Sequence, residues 1–290
     1  EKTKYFTSFG YYNQDGIIEN SSFKRFSFRT NLDQKLSDHF NITSSLSIQQ
    51  SKYVEAQYTG AEGGGGVPWT TMVIPPTQPV YNADGSYTRF TGVPWGETNP
   101  VGISRELYQP NNATRIIGNA ALNYNIIPGL VLKLSAGIDK NDSKKDYYAP
   151  GTITIGRSTD KDGNPVSGIA SRDYSNSLTF INENTLSFNR TFGNHTIDAV
   201  GGITYQQSSS ENLNSGQAKG FISDLYQNNN IGAAAVPAQP SSGYSDFKLV
   251  SYLGRINYNY KGKYYATVTG RYDGASKFGK DNKFAFFLSA

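Results

Sequence analysis

The chain has 290 residues and no cysteine, so neither a disulfide framework nor a thiolate metal site can hold it together. Charged residues are scarce, at 17%. The net charge of +4 comes without any basic tract, which argues against nucleic acid as a partner. Histidine occurs twice and methionine once. No apolar run approaches the roughly 18 residues that a transmembrane helix needs. That excludes a helical span but not a membrane, because transmembrane strands alternate and keep the average hydropathy low; here it is −0.53. Helical periodicity is almost missing as well.

What the chain does have is aromatic residues, 21 Tyr and 16 Phe, set in long alternating stretches. In SYLGRINYNYKGKYYATVTGRYDG, Val250, Tyr252, Gly254, Ile256, Tyr258 and Tyr260 share one parity, against Ser251, Leu253, Arg255, Asn257 and Asn259. Period-2 alternation of this kind marks a strand with two unlike faces. It recurs through Tyr5–Tyr11, Phe26–Leu36, Phe40–Ile48, Ile116–Ile126, Leu130–Ile138, Tyr174–Asn189 and Ile197–Tyr205. Asn182 and Asn184 interrupt the apolar face of the sixth stretch.

The connections alternate. SDHF, IPGL, TFGNH and YKGK are tight, whereas the irregular segments near 57–112, 148–168 and 208–244 are long. Strands of about 10 to 16 residues exceed the usual 5 or 6. They suit a bilayer, which takes about 9 to 11 tilted residues to cross. Charges recur on the polar face: Arg25, Arg29, Asp33, Arg115, Lys133, Asp139, Glu183, Asp198, Arg255 and Arg271. Such a face cannot form a dry sandwich centre without costly burial. A soluble sandwich with these faces in water fits the alternation equally; strand length and loop alternation favour a barrel with apolar faces to lipid. Phe40, Tyr124, Phe188, Phe192, Tyr258, Tyr260 and Tyr264 gather at the tight-turn ends. Tyr11, Tyr53, Tyr147, Tyr148 and Tyr205 gather at the long-loop ends. Two interfacial girdles would look like this, although Tyr and Phe also favour strands in general.

Sites of chemistry are few. His39 and His195 fall in tight turns with no HxH or HxxxH around them, which suits turn capping better than metal. No GxSxG elbow accompanies the many serines. DKDGNPV mimics the start of a calcium loop, but Pro165 stands where glycine is required and Ser171 where glutamate is. Gly63–Gly66 lacks the Lys-Ser/Thr of a phosphate cradle. No catalytic residue, metal or cofactor is expected. Trp69 and Trp95, in the longest loop, could stack on a sugar ring, pack that loop's own core or touch a partner.

Ser251–Ala290 resembles a block of the SusC/RagA family of TonB-dependent outer-membrane transporters. Tyr252, Gly254, Arg255, Asn257 and Tyr258 match its Tyr-x-Gly-Arg-x-Asn-Tyr strand. Arg271, Asp273, Gly274, Ser276, Lys277, Phe278 and Gly279 match its Arg-x-Asp-Gly-x-Ser-x-Phe-Gly hairpin. Lys24–Ser47 is similar to an earlier barrel hairpin through Arg25, Arg29, Asn31 and Leu32. YNADGSY, with PP before it and NP after it, is similar to an extracellular loop pattern. Phe287-Leu288-Ser289 departs from the family's aromatic and Phe-Pro-Ser.

The resemblance implies an all-β, antiparallel, up-and-down transmembrane barrel in the bacterial outer membrane, with long extracellular loops and short periplasmic turns. About ten strands are present of a barrel of roughly 22. Residues 1–290 would be a single partial barrel domain, with the plug and remaining strands outside this chain. The opening EKTKYFTSFGYY reads as a strand in progress and the closing FAFFLSA as one cut short. The implied work is TonB-driven import of oligosaccharides or peptides, not enzymatic. Its partners would be a SusD-like lipoprotein lid, the TonB complex and outer-membrane lipid. Arg25, Arg29, Arg255 and Arg271 would line the lumen, as a substrate path or paired with plug acids. Trp69 and Trp95 would touch ligand or lid. A passive or adhesive outer-membrane barrel, or a soluble all-β carbohydrate-binding module, are the alternative readings.

Overall fold

The computed structural model describes residues 2–56, 66–90 and 98–290. Ten strands follow one another in a single antiparallel sheet. They are β1 (Thr3–Asp15), β2 (Ser22–Lys35), β3 (Phe40–Val54), β4 (Pro110–Ile127), β5 (Leu130–Ala149), β8 (Ile169–Phe192), β9 (His195–Asn214), β11 (Ser241–Tyr260), β12 (Tyr264–Ala275) and β13 (Phe284–Ser289). Short strands β6 (Arg157–Thr159) and β7 (Pro165–Ser167) form a separate hairpin, and β10 (Ala218–Lys219) pairs with β8. Each long strand neighbours the next in sequence, which is the up-and-down order expected from the alternating connections.

Register confirms the two faces. Tyr11 opposes Phe26, and Phe9 opposes Phe28. Leu122 opposes Leu134, Ile256 opposes Ala199 and Val268, and Tyr272 opposes Phe286. Apolar side chains thus meet apolar ones along most of the belt, with Asn182 and Asn184, opposite Ala136 and Leu134, as the interruption; a one-residue slip would put the whole set on the other face. The sheet is a single layer through this belt. Phe9 is 81% exposed, Ile256 56% and Val268 51%, so no second layer of the described chain covers it. A water-soluble sandwich would bury these side chains; a barrel wall presents them to lipid.

The belt does not follow the rungs of the sheet. The rung through Phe40 runs by way of Tyr124, Leu132, Leu186 and Gly201 to Gly254. Phe40 begins β3 at a tight turn, but β11 continues six residues beyond Gly254, to its own tight turn at Tyr260. The turns therefore step by about one residue per strand. With a rise of about 3.3 Å per residue and about 4.8 Å between strands, a level membrane edge needs strands tilted near 40°, within the range of closed barrels.

The tight turns have local causes. In Ile127–Leu130, Pro128 supplies the fixed φ of the first turn position and Gly129 the positive φ (88°) of the second. The β2–β3 turn is pinned by Lys35 Nζ on Asp38 at 2.6 Å and by Ser37 Oγ, which accepts from the amides of His39 and Phe40. Neighbouring turns are tied sideways, as Asn125 N donates to His39 O and Lys261 N to Asn194 O. Phe40 stacks on Tyr124 with ring centres 4.6 Å apart. Tyr260 stacks on Tyr264 at 6.4 Å, and His195 lies against Tyr260 at 4.9 Å. The tight-turn girdle expected from the sequence is present on the belt face.

The long-loop girdle is only half as expected. Tyr11 and Tyr205 lie on the belt face. Tyr53 has the opposite parity and donates no contact to the belt; its hydroxyl accepts from Asn111 Nδ2 at 2.8 Å. Tyr147 and Tyr148 are consecutive, so they point to opposite faces. Tyr148 is 1% exposed, and Tyr147 packs against the buried cluster of the loops.

Candidate functional site, a cap built from the long loops

All the buried hydrophobic residues among those described lie at the long-loop end. The reason is visible in the strand lengths. β5 and β8, of 20 and 24 residues, run well past the belt as a paired extension. Their ends, Ala149 and Ile169, are buried and oppose each other. Two loops grip this extension from its two faces.

The β3–β4 connection packs on the face opposite the belt. It carries two seven-residue helices, α1 (Val67–Val73) and α2 (Pro100–Glu106). Val67, Ile103 and Leu107 join Ala149, Ile153 and Ile169 in one cluster, with Ile18, Tyr87 and Tyr147 against it. Asn99 caps α2: its side-chain oxygen accepts from Val101 N and Gly102 N, and its Nδ2 donates to Val80 O at 2.8 Å. Pro100 follows it in the first turn, where its missing N–H costs nothing. The YNADGSY segment is a turn closed by Asn82 N on Ser86 O, and Asp84 accepts from Ser86 N and Oγ. Those donors hold the Asp84 carboxyl below its ordinary range. Arg105 ties the assembly to the β1–β2 connection through Glu19 at 3.0 Å and to Tyr81 OH at 2.8 Å.

The β9–β11 connection packs on the belt-side face of the same extension. Its 3₁₀ turns within Asp224–Ala233, broken by non-helical backbone at Gln227 and Asn230, set Asn228 over Asp146. Tyr148 OH donates to Asp224, and burial together with that carboxylate pushes the phenol up. Asp146 is buried and accepts from Arg172 Nε at 2.5 Å, Asn228 Nδ2 at 2.7 Å and Lys144 Nζ at 3.2 Å. No sequence signal singled out this cluster.

Trp69 sits on α1 and is 46% exposed; Met72, three residues on, is 80% exposed. That spacing puts both on one face of the helix. Val67 and Thr70 take the other face and are buried. Trp69 is therefore not core of its own loop. Trp95 lies outside the described residues, as do Gly63, Gly64 and Gly65.

Arg25 and Arg29 in β2, Arg255 in β11 and Arg271 in β12 all share the face opposite the belt, as expected from their parity. Arg25 lies over the rings of Tyr12 and Phe23, 5.8 and 6.0 Å from their centres. Arg271 is paired with Asp273 at 2.6 Å and reaches Ser251 Oγ at 3.2 Å. Asp198, opposite Asn257, accepts from Asn189 and Asn257 and feels the charge of Arg255. These arginines do not gather into one cluster, since β3, β4, β5, β8 and β9 separate β2 from β11. The expected turn capping takes another form, since each histidine ties its turn to a neighbouring strand: His39 Nδ1 meets Asn125 O at 2.7 Å, and His195 Nδ1 meets Tyr258 OH at 2.6 Å. In DKDGNPV the Asp160 carboxylate is taken by Asp162 N, Asn164 N and Asn164 Nδ2, a hairpin turn between β6 and β7.

A single-layer, tilted, antiparallel wall with an apolar outer belt, tight turns at one end and a folded cap at the other defines a segment of an outer-membrane β-barrel. Comparison with known proteins agrees. The chain is 33% identical over 293 residues to TonB-dependent receptor P3 of Formosa agariphila, covering 100% of this chain and 28% of that protein. It is 29% identical over 317 residues to TonB-dependent receptor SusC of Bacteroides thetaiotaomicron, covering 98% of this chain and 29% of SusC. Its fold matches a structure described as the RagAB peptide transporter with a TM-score of 0.81 at 21% identity, over 99% of this chain and 32% of that one. No family model matches the sequence. The chain belongs to the SusC/RagA family of TonB-dependent outer-membrane receptors. It spans 28% of the length of the first of these relatives.

Proposed function

We propose that residues 1–290 are one partial barrel domain of a transporter that imports oligosaccharides or peptides across the outer membrane. The remaining strands, to a total of roughly 22, the plug and the TonB-contacting segment would lie elsewhere in the protein. In this reading the tight turns are periplasmic and the cap is extracellular. The polar face, with Arg25, Arg29, Arg255 and Arg271, lines the lumen. Its work is binding and passage rather than bond chemistry.

The observation that carries the reading is the cap. A passive pore has no need of two loops clamped on both faces of a strand extension. Here they make a rigid platform whose exposed Trp69 and Met72 are free to meet another surface. Aromatic side chains set in a fixed frame are what recurrently anchors protein interfaces and sugar rings. In this reading a SusD-like lipoprotein sits on the platform with substrate held beneath it, and the likeness of the wall to the RagAB peptide transporter supports import of a large solute. The test is uptake of labelled oligosaccharide or peptide by cells carrying the full-length protein. Uptake should vanish when a protonophore collapses the proton-motive force. Uptake that survives would mark a passive barrel.

A further inference from the structure

On the belt face, the chain leaves the apolar zone toward the cap through lysines. The first ionisable residue past the belt is Lys24 in β2, Lys52 in β3, Lys140 in β5 and Lys248 in β11. The acids on the same face are Asp15 at the end of β1, Asp142 and Asp146 in β5, Glu211 near the end of β9 and Asp246 in β11. Lys140 is paired with Asp142 at 3.0 Å. Lys24 and Lys52 are different. They are direct cross-strand partners, both are exposed, and among the described residues neither has an acidic partner.

Like charges placed directly opposite each other destabilise a strand pair. Both side chains are exposed, so the repulsion is modest, and an anion held between them would turn it into attraction. Their position says which anion. Phe26 precedes Lys24 inward on the same face and lies in the belt, tilted against Tyr11 with ring centres 4.8 Å apart. The two ammonium groups therefore stand at the depth where lipid headgroups meet the aromatic edge. Next to them on the same rung, Lys52 opposes Asn112. Asn112 begins a groove of about 520 Å³ whose polar lining includes Gln50, Thr114, Lys144, Asn176 and the carboxylates of Asp142 and Glu211, which accept from hydroxyls and keep the phosphate itself at the lysines. Amide and hydroxyl groups in such a groove suit sugar hydroxyls.

We propose that Lys24 and Lys52 hold a phosphate of a phosphorylated glycolipid of the outer leaflet, with its sugars in the adjoining groove. The site is on the outside of the wall and takes no part in import.

The test uses the full-length protein purified in neutral detergent. Native mass spectrometry reads how much phosphorylated glycolipid stays bound. The double variant Lys24→Gln, Lys52→Gln should lose it by about tenfold or more, at roughly 1 kcal/mol per lysine near an anionic surface. Lys24→Arg with Lys52→Arg should keep it, as should Lys161→Gln at the distant β6–β7 tip. Thermal unfolding gives a second readout that does not depend on co-purification. Added glycolipid should raise the Tm of the parent and not that of the Gln variant. Without lipid, the Gln variant should be at least as stable as the parent, because the repulsion is gone. Equal retention, or an equal Tm shift in both, would overturn the proposal. So would an identical shift from inorganic phosphate at the same concentration, which would make this a site for free anions.

Discussion

Arg172 Nε donates to Asp146 Oδ1 at 2.5 Å, and this contact joins the β8 extension to the β5 extension beneath the 3₁₀ segment. The Asp146 side chain is only 5% exposed. Burial pushes its carboxyl up, but hydrogen bonds from Arg172, Lys144 and Asn228 outweigh that, and the net shift is downward. A lowered folded value means stability that is complete above the unfolded value of about 3.9 and lost as pH falls through the folded one. Hydrogen-exchange protection at 224–233, corrected for the pH dependence of intrinsic exchange, should therefore be high at pH 6 and fall below about pH 4. Asp146→Asn should remove that acid step and loosen the segment at neutral pH, by about 3 kcal/mol if Arg172 is left unpaired. Unchanged protection in the variant would deny the cluster its role.

Gly129 is a second position where chemistry leaves no choice. Its φ is positive, its carbonyl accepts from Asn189 N at 2.7 Å, and a Cβ there would come 2.3 Å from Asn189 O. Gly129→Ala should cost about 1 to 3 kcal/mol, from the conformation and the forced shift of the β8 backbone. The check is assembly of the full-length barrel into vesicles followed by denaturant unfolding. Gly193→Ala, with open space around its Cβ, should cost less.

The two faces should respond oppositely to a charge. Ile256→Arg places a guanidinium on the belt face, where the penalty near mid-bilayer is about 2 to 4 kcal/mol. Asn257→Arg places it on the other face, beside Asp198, and should change stability by less than about 1 kcal/mol. Comparable losses for both would mean that the faces are not in different media.

Trp69→Ala should leave folding within about 0.5 kcal/mol, as expected for a half-exposed side chain away from the cluster. If the platform meets a lid or substrate, the same change should weaken that complex by at least about tenfold. Surface plasmon resonance with the purified full-length protein and a candidate SusD-like lipoprotein would read it. Full affinity in Trp69→Ala would move the contact elsewhere on the cap.

Much of the wall was legible because lipid imposes a strict period of two. Beyond the belt both faces meet water or protein, and the signal fades. β4 therefore begins at Pro110 rather than near Ile116, and β8 at Ile169 rather than near Tyr174. α1 and α2 are two turns each, too short for a 3.6 period to declare itself. Asn99-Pro100 was the available cue, a cap followed by a first-turn proline. Tyr147-Tyr148 carried another: adjacent strand residues cannot both face lipid, so at least one had to serve the cap. The Asp146 cluster was not legible, since its partners come from segments 26 and 82 residues away in sequence.

The central claim is that the Tyr, Leu and Ile parity of each long strand faces hydrocarbon. Since this chain has no cysteine of its own, single cysteines from 253 to 258 can carry a spin label in the bilayer-reconstituted protein. Collisions with oxygen, which concentrates in lipid, should peak at 254, 256 and 258. Collisions with a water-soluble nickel chelate should peak at 253, 255 and 257. A profile without alternation, or with the two parities exchanged, would contradict the claim.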